Sequence, residues 1–232
     1  MLMQYIYHND NIMWIGYLPS HGDFDDIVSI AKECDAYLFS DEMYRTLEYD
    51  TSKRLKSAVD MDYEKCIVLH GLSKTIGCPG LRMGWIATHN REILARLAEL
   101  KDYTTICAPR PSEILSMMAI KNREKLTGRT LEIISSNLSL LDDFFFKYRG
   151  ILSWQRPEAG TICFPRLTTE YFGNIEDFCD RVRQDAGVLL LPSSVYSPTS
   201  SVSGSQPFFR LGYGRKQMPE ALSKLESFLE SQ

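Results

Sequence analysis

Two short stretches of this chain gather residue types able to do covalent and acid–base chemistry. In Phe39-Ser-Asp-Glu-Met-Tyr44 a carboxylate, Asp41, precedes a phenol, Tyr44, by three positions. In His70-Gly-Leu-Ser-Lys-Thr-Ile-Gly-Cys-Pro-Gly-Leu-Arg-Met-Gly-Trp85 a Ser73-Lys74 pair is followed, eight residues after the lysine, by Arg82. An amine can capture a carbonyl carbon and later carry a proton, and a carboxylate can hold a cation or a proton. A phenol can donate to an anionic oxygen, and the planar fork of a guanidinium suits a phosphate. Further on, Phe208-Phe-Arg-Leu-Gly-Tyr-Gly214 supplies Arg210, with Arg215 its nearby competitor. Each residue also has a plainer reading: a loop lysine, a turn-capping aspartate, a packing tyrosine, a surface arginine. His70, at a strand end, reads as a partly buried structural residue.

The elements that must carry these groups follow from apolar patterning. Residues 36–40, 66–70 and 85–88 read as short buried strands, and Phe24, Ile27, Val28 and Ala31 fall at helical spacing behind Asp23, placed to cap the first turn. Asp41 and Lys74 therefore lie just past the carboxyl ends of strands, where the loops of open α/β sheets converge on a crevice. Asn90 starts another helix with Ile93, Leu94, Leu97 and Leu100 as its apolar stripe, before Pro109 and Pro111 break the chain. Residues 112–148 read as helices interrupted near Gly128 and stopped at Gly150. The last third alternates strands (161–164, 188–191, 208–211) with helices (175–186, 218–229), including the aromatic packing run Phe144 to Phe146 just before it. This predicts two domains, residues 1–135 and 136–232, the second a compact α+β unit. Residues 1–15 lack clean periodicity, and the Ser-rich segment 193–205 reads as a flexible loop.

Composition sets the bounds. With 232 residues, 44% hydrophobic and 24% charged, the chain can bury a core, and a formal charge of -4 without a basic run speaks against nucleic acid or an anionic membrane as partner. A small molecule is the better default. No stretch approaches a transmembrane length and the amino end lacks a basic flank before an apolar run, which predicts a cytoplasmic protein. Six cysteines without a Cys-x-x-Cys pair, mostly in apolar segments, read as reduced, buried thiols, and the four histidines show no metal spacing.

From about Gly16 to its end the sequence resembles the class I and II aminotransferases, the fold-type-I pyridoxal-phosphate family. The Ser-Lys pair with its arginine and Met-Gly-Trp is similar to the family's lysine signature, and Asp-Glu-x-Tyr after an apolar strand is its regular companion. The resemblance implies an α/β fold, here an incomplete pyridoxal-phosphate-dependent transferase large domain followed by a C-terminal α+β small domain. It implies pyridoxal 5'-phosphate as cofactor, with Lys74 as Schiff-base lysine and then base, Asp41 at the pyridine nitrogen, Tyr44 at the ring oxygen, and Ser73 and Arg82 among the cofactor-binding residues, Arg82 on the phosphate. Gly77 and Gly80 would let the loop turn closely around that group. Arg210 would pair with the substrate's α-carboxylate, and residues 157–164 and 187–192 look like small-domain landmarks. The activity implied is amino-group transfer between an amino acid and a 2-oxo acid, in a homodimer.

Three departures qualify the match. The family normally carries a long further segment before this region, with a glycine-containing phosphate loop and an aromatic that stacks on the cofactor. Met13 stands where an asparagine usually meets the ring oxygen, and Gly71 where a serine often meets the phosphate. These lead to the expectation of a truncated product, an alternative start or an incorrect gene model, with an exposed apolar face and an unpaired sheet edge. Related lyase, decarboxylase or cyclising chemistry uses the same pocket. A catalytically inactive binding or assembly module is the alternative of another class, and a structural protein without cofactor ancestry the third.

Overall fold

The computed structural model describes residues 5–9, 18–196 and 207–232, with strand 5–9 described through its backbone alone. Met13 and most of the Ser-rich segment lie outside the described residues. The chain divides into two compact units, the first running to Thr130 and the second from Leu131 to Gln232.

The first unit is built on a sheet of β1 (Tyr5–Asn9), β2 (Tyr37–Asp41), β3 (Cys66–Gly71) and β4 (Gly84–Ala87), side by side in that order. β1, β2 and β3 are parallel, and β4 runs antiparallel to β3. β1 lies within residues 1–15, where the sequence shows no clean periodicity. Five residues are too few to show a period, and what makes them a strand is backbone pairing to β2, Tyr5 opposite Tyr37 through Asn9 opposite Asp41. Helix α1 (His21–Glu33) is capped by Ser20, not Asp23: the Ser20 hydroxyl accepts the Asp23 N–H at 3.1 Å and Asp23 accepts the Ser20 N–H at 2.9 Å, a reciprocal capping box. Its buried face, Phe24, Val28 and Ala31, packs with Leu38, Cys66 and Val68 of the sheet.

Beyond β4 come α2 (Arg91–Thr104), with Asn90 as its cap, α3 (Arg110–Lys121), with Pro111 in its first turn, and α4 (Arg123–Lys147). The helical break falls at Asn122, not at Gly128, which sits inside α4; a single glycine costs a helix only about 1 kcal/mol and does not end it. The stripe on α2 is only partly covered: Ile93 and Leu97 are half-buried, while Leu94 and Leu100 are exposed. Leu94, Leu100, Tyr103, Ile106, Ile114, Leu115, Met117, Met118 and the β4 residue Trp85 are all exposed, and among the described residues β4 pairs only with β3.

The second unit holds the rest of α4, then β5 (Leu152–Ser153), β6 (Ile162–Cys163), β7 (Arg166–Leu167), α5 (Ile175–Arg181) with a π turn over Val182–Ala186, β8 (Leu191–Pro192), β9 (Phe209–Gly212) and α6 (Met218–Glu230). β5 pairs β7, and β9 pairs both β6 and β8. Phe178 is fully buried, with its ring centroid 5.6 Å from Phe209, 5.2 Å from Phe172 and 6.4 Å from Phe228. Asn137 ties α4 to the following segment by donating to the carbonyls of Tyr213 and Arg215 at 2.7 and 2.8 Å. Phe144 and Phe145 pack inward, but Phe146 is exposed beneath the Arg149 guanidinium.

All six cysteines are free, but only Cys66, Cys163 and Cys179 are buried; Cys78 is half-buried and Cys34 and Cys107 are exposed, so the expectation of buried thiols holds for half of them. Among the described residues no helix is long and apolar enough to cross a membrane, and no cluster of His, Cys, Asp and Glu could hold a metal.

Candidate functional site

The parallel pairing of β2 and β3 puts their carboxyl ends at one rim of the sheet. Asp41 is the last residue of β2, in register with Leu69, and its Oδ1 accepts the Met43 N–H at 3.1 Å. This bond fixes the start of the loop that carries Tyr44. The neighbouring Glu42 is 1% exposed, and its carboxylate accepts from the Ser57 hydroxyl and the Ala58 N–H, both at 2.8 Å. Arg45 lies 3.7 Å from its other oxygen. A carboxylate so buried persists only because these donors replace water, and it clips the 42–45 loop to the segment before β3.

Lys74 stands three residues past β3. Leu72 and Ile76, on either side, are buried against Ala119 of α3, which anchors the loop and leaves Lys74 half-buried at the rim. Its Nζ lies 5.3 Å from the ring centroid of buried Tyr44, within the range of a cation–π contact. Thr75, next to it, is buried, and its Oγ1 donates to the Arg45 carbonyl at 2.6 Å and approaches the Met43 carbonyl at 3.3 Å. Thr75 did not stand out in the sequence, since a threonine beside a lysine has no spacing signature, and Glu42 figured only as part of Asp-Glu-x-Tyr with no role of its own, since a glutamate at a strand end normally faces water.

Gly77 takes φ +72, which favours glycine, whereas Gly80 has an ordinary φ and open space around it, so only the first glycine is needed for the turn. Arg82 has φ 53, left-handed for a side-chain-bearing residue; its guanidinium is exposed and donates to the Pro79 carbonyl at 3.2 Å. Gly71 has a packing reason of its own. A Cβ there would come within 2.9 Å of the Met83 carbonyl and 3.2 Å of the Met43 sulfur, so the serine expected at this position has no room. His70 accepts the Gly71 N–H at 2.7 Å and stacks on its cross-strand partner Trp85, centroids 4.9 Å apart and 6° from parallel, in keeping with a structural role.

The first unit thus brings Asp41, Tyr44, Ser73 and Lys74 to one rim, with Arg82 at the end of the lysine loop. Arg210 belongs to the second unit, where it lies half-buried on β9 and donates to the Tyr196 hydroxyl at 3.1 Å.

The family described as aminotransferase class I and II matches residues 15–225. The chain belongs to this family. Among curated relatives, capreomycidine synthase of Streptomyces vinaceus is 24% identical over 171 residues, covering 74% of this chain and 43% of its own length. The L-aspartate:5-guanidino-3-methyl-2-oxopentanoate transaminase of Pseudomonas syringae pv. syringae is 25% identical over 93% of this chain and 53% of its own. A solved aminotransferase described as PLP-dependent, from Streptococcus suis, superposes with TM-score 0.85 at 29% identity, over 98% of this chain and 57% of that one. The chain spans about half the length of the curated relatives it matches.

Proposed function

We propose that this chain carries the cofactor lysine of a pyridoxal-5'-phosphate-dependent aminotransferase, moving an amino group between an amino acid and a 2-oxo acid. The observation that carries the reading is the Lys74 amine 5.3 Å above the Tyr44 ring, on the rim where Asp41 ends β2. The donor set fits the cofactor: an amine for an aldehyde, a carboxylate for a protonated ring nitrogen, a phenol for a ring oxygen and a guanidinium for a phosphate. When bound, the cofactor supplies an electron sink for a bond breaking at a substrate Cα.

The chain's own residues do the rest. Lys74 offers the nucleophilic nitrogen and, once free, moves a proton at the substrate Cα. Asp41 holds positive charge, Tyr44 donates its phenolic proton, Ser73 and Arg82 hold phosphate oxygens, and the left-handed Gly77 lets the loop close around them. Arg210 orients the substrate through its α-carboxylate by a two-point contact. A homodimer and a cytoplasmic location belong to the same reading; six unpaired cysteines support a reducing compartment.

The test adds pyridoxal phosphate to purified protein, reduces with borohydride and maps the modified peptide, alongside Lys74→Ala. The expected result is one adduct, on Lys74, absent from the variant. Folded protein without it overturns the reading in favour of a catalytically inactive binding or assembly module. A second reading, cyclising or lyase chemistry, begins at the same pocket with cleavage of a bond to the substrate Cα. Substrate-dependent appearance of pyridoxamine phosphate separates amino transfer from it.

A further inference from the structure

The Lys74 loop and the Tyr44 loop are distant in sequence, and one buried hydroxyl joins them. Thr75 is 4% exposed, and its Oγ1 reaches the carbonyls of Met43 and Arg45, the residues on either side of Tyr44. A threonine hydroxyl carries one proton, so the 2.6 Å contact to Arg45 is the principal bond and Met43 the second acceptor in reach. The segment it holds is not relaxed on its own account: Thr46 has φ 74, costly for a β-branched residue, and is kept there partly by the Thr46 N–H donating to Glu48 at 3.1 Å. Lys74 is covalently adjacent to the staple, and Tyr44 is bracketed by its acceptors.

We propose that Thr75 is a positioning residue: its buried hydroxyl sets where the Lys74 amine stands over the Tyr44 ring, and through that the reactivity of the amine. The proposal rests on Lys74 being the reactive amine, and its test does not need the cofactor. Trace acetylation of the full chain is followed by mass spectrometry across a pH series, with the exposed Lys101 as internal reference, in wild type, Thr75→Val and Thr75→Ser. Thr75→Val keeps the shape and removes the donor. It is expected to change the Lys74 labelling rate about 2- to 10-fold, the weight of one net hydrogen bond, and to displace its pH profile. Lys101 should stay unchanged and Thr75→Ser should behave as wild type.

A folded Thr75→Val whose Lys74 profile coincides with wild type overturns the proposal, as does a Thr75→Ser that behaves like valine. If valine prevents folding, Thr75→Ala is measured in its place. Unfolding of both donor-less variants also overturns the proposal, because the hydroxyl would then serve the fold as a whole. Failure of wild type to give a borohydride-stable adduct on Lys74 defeats the cofactor reading instead, leaving the acetylation comparison intact.

Discussion

Two amphipathic helices of nearly equal length meet opposite surroundings. α2, with 14 residues, buries none of them, whereas α6, with 13, buries Met218, Leu225, Phe228 and Leu229. Leu100 is 57% exposed and Tyr103 90%, while Leu225 is 1% exposed. Periodicity names the face a helix can bury, and the neighbouring elements decide whether it is buried. In the second unit Phe178 of α5 packs on Phe228 of α6; in the first, most apolar residues of α2 and of the outer face of α3 stay exposed.

The largest expected difference comes from truncating buried residues of the second unit and exposed residues of α2. Phe178→Ala should cost about 3–5 kcal/mol and Leu225→Ala about 2–5 kcal/mol, since each leaves a cavity in a packed core. Leu100→Ala and Tyr103→Ala should stay within about 0.5 kcal/mol of wild type, as expected for surface positions. Denaturant unfolding followed by both tryptophan fluorescence and circular dichroism measures these, with each unit's transition fitted separately. A cost on α2 comparable to that on α6 would mean that α2 is covered in solution, and the contrast would disappear.

A smaller effect locates where the first unit is tightly packed. Gly71→Ser should destabilise by about 1–3 kcal/mol, because its Cβ has nowhere to go between β4 and Met43. Gly80→Ser, in the same loop region with open space and an ordinary φ, should be near neutral. The pair separates a packing glycine from a merely permissive one by thermal unfolding. If Gly71→Ser proves neutral, the β3–β4 junction is looser than its distances imply.

This contrast also shows what the sequence could reveal. The strands 36–40 and 66–70 were legible because they are short apolar runs, and the rim position of Asp41 and Lys74 followed from their ends. α2 was legible as a helix from Asn90 and its stripe, but its exposure was not, since burial is a property of neighbours rather than of a pattern. β1 escaped because parallel pairing is a backbone event with no side-chain period over five residues. At the site, Lys74 and Asp41 announce themselves by type and spacing, whereas Thr75 matters only through carbonyls 30 and 32 residues away, a relation that spacing does not encode.

The most delicate test uses thiols, which are distributed as unevenly as the helices. Both cysteines of the second unit, Cys163 and Cys179, are buried, while the first unit exposes Cys34 and Cys107 and buries Cys66. Burial pushes the Cys66 thiol up to about 11, opposed by Lys32, and burial with Glu176 and Asp180 pushes Cys179 up to about 12. Burial raises Cys163 as well. A thiol whose folded value lies above its ordinary 9.0 stabilises the fold fully below pH 9.0, and that contribution is lost as pH climbs towards 11 and 12. Native protein near neutral pH should therefore label promptly at Cys34 and Cys107 and slowly at the buried thiols. Its unfolding free energy should begin to fall above pH 9.0, with Cys179→Ala flattening the portion of the decline that belongs to the second unit. Cys107 is the sharper witness, because it lies between α2 and α3. Slow labelling there, with Cys34 still fast, would show that this face is covered in solution, and the apparent difference between the two units would then lie in what surrounds them rather than in how they fold.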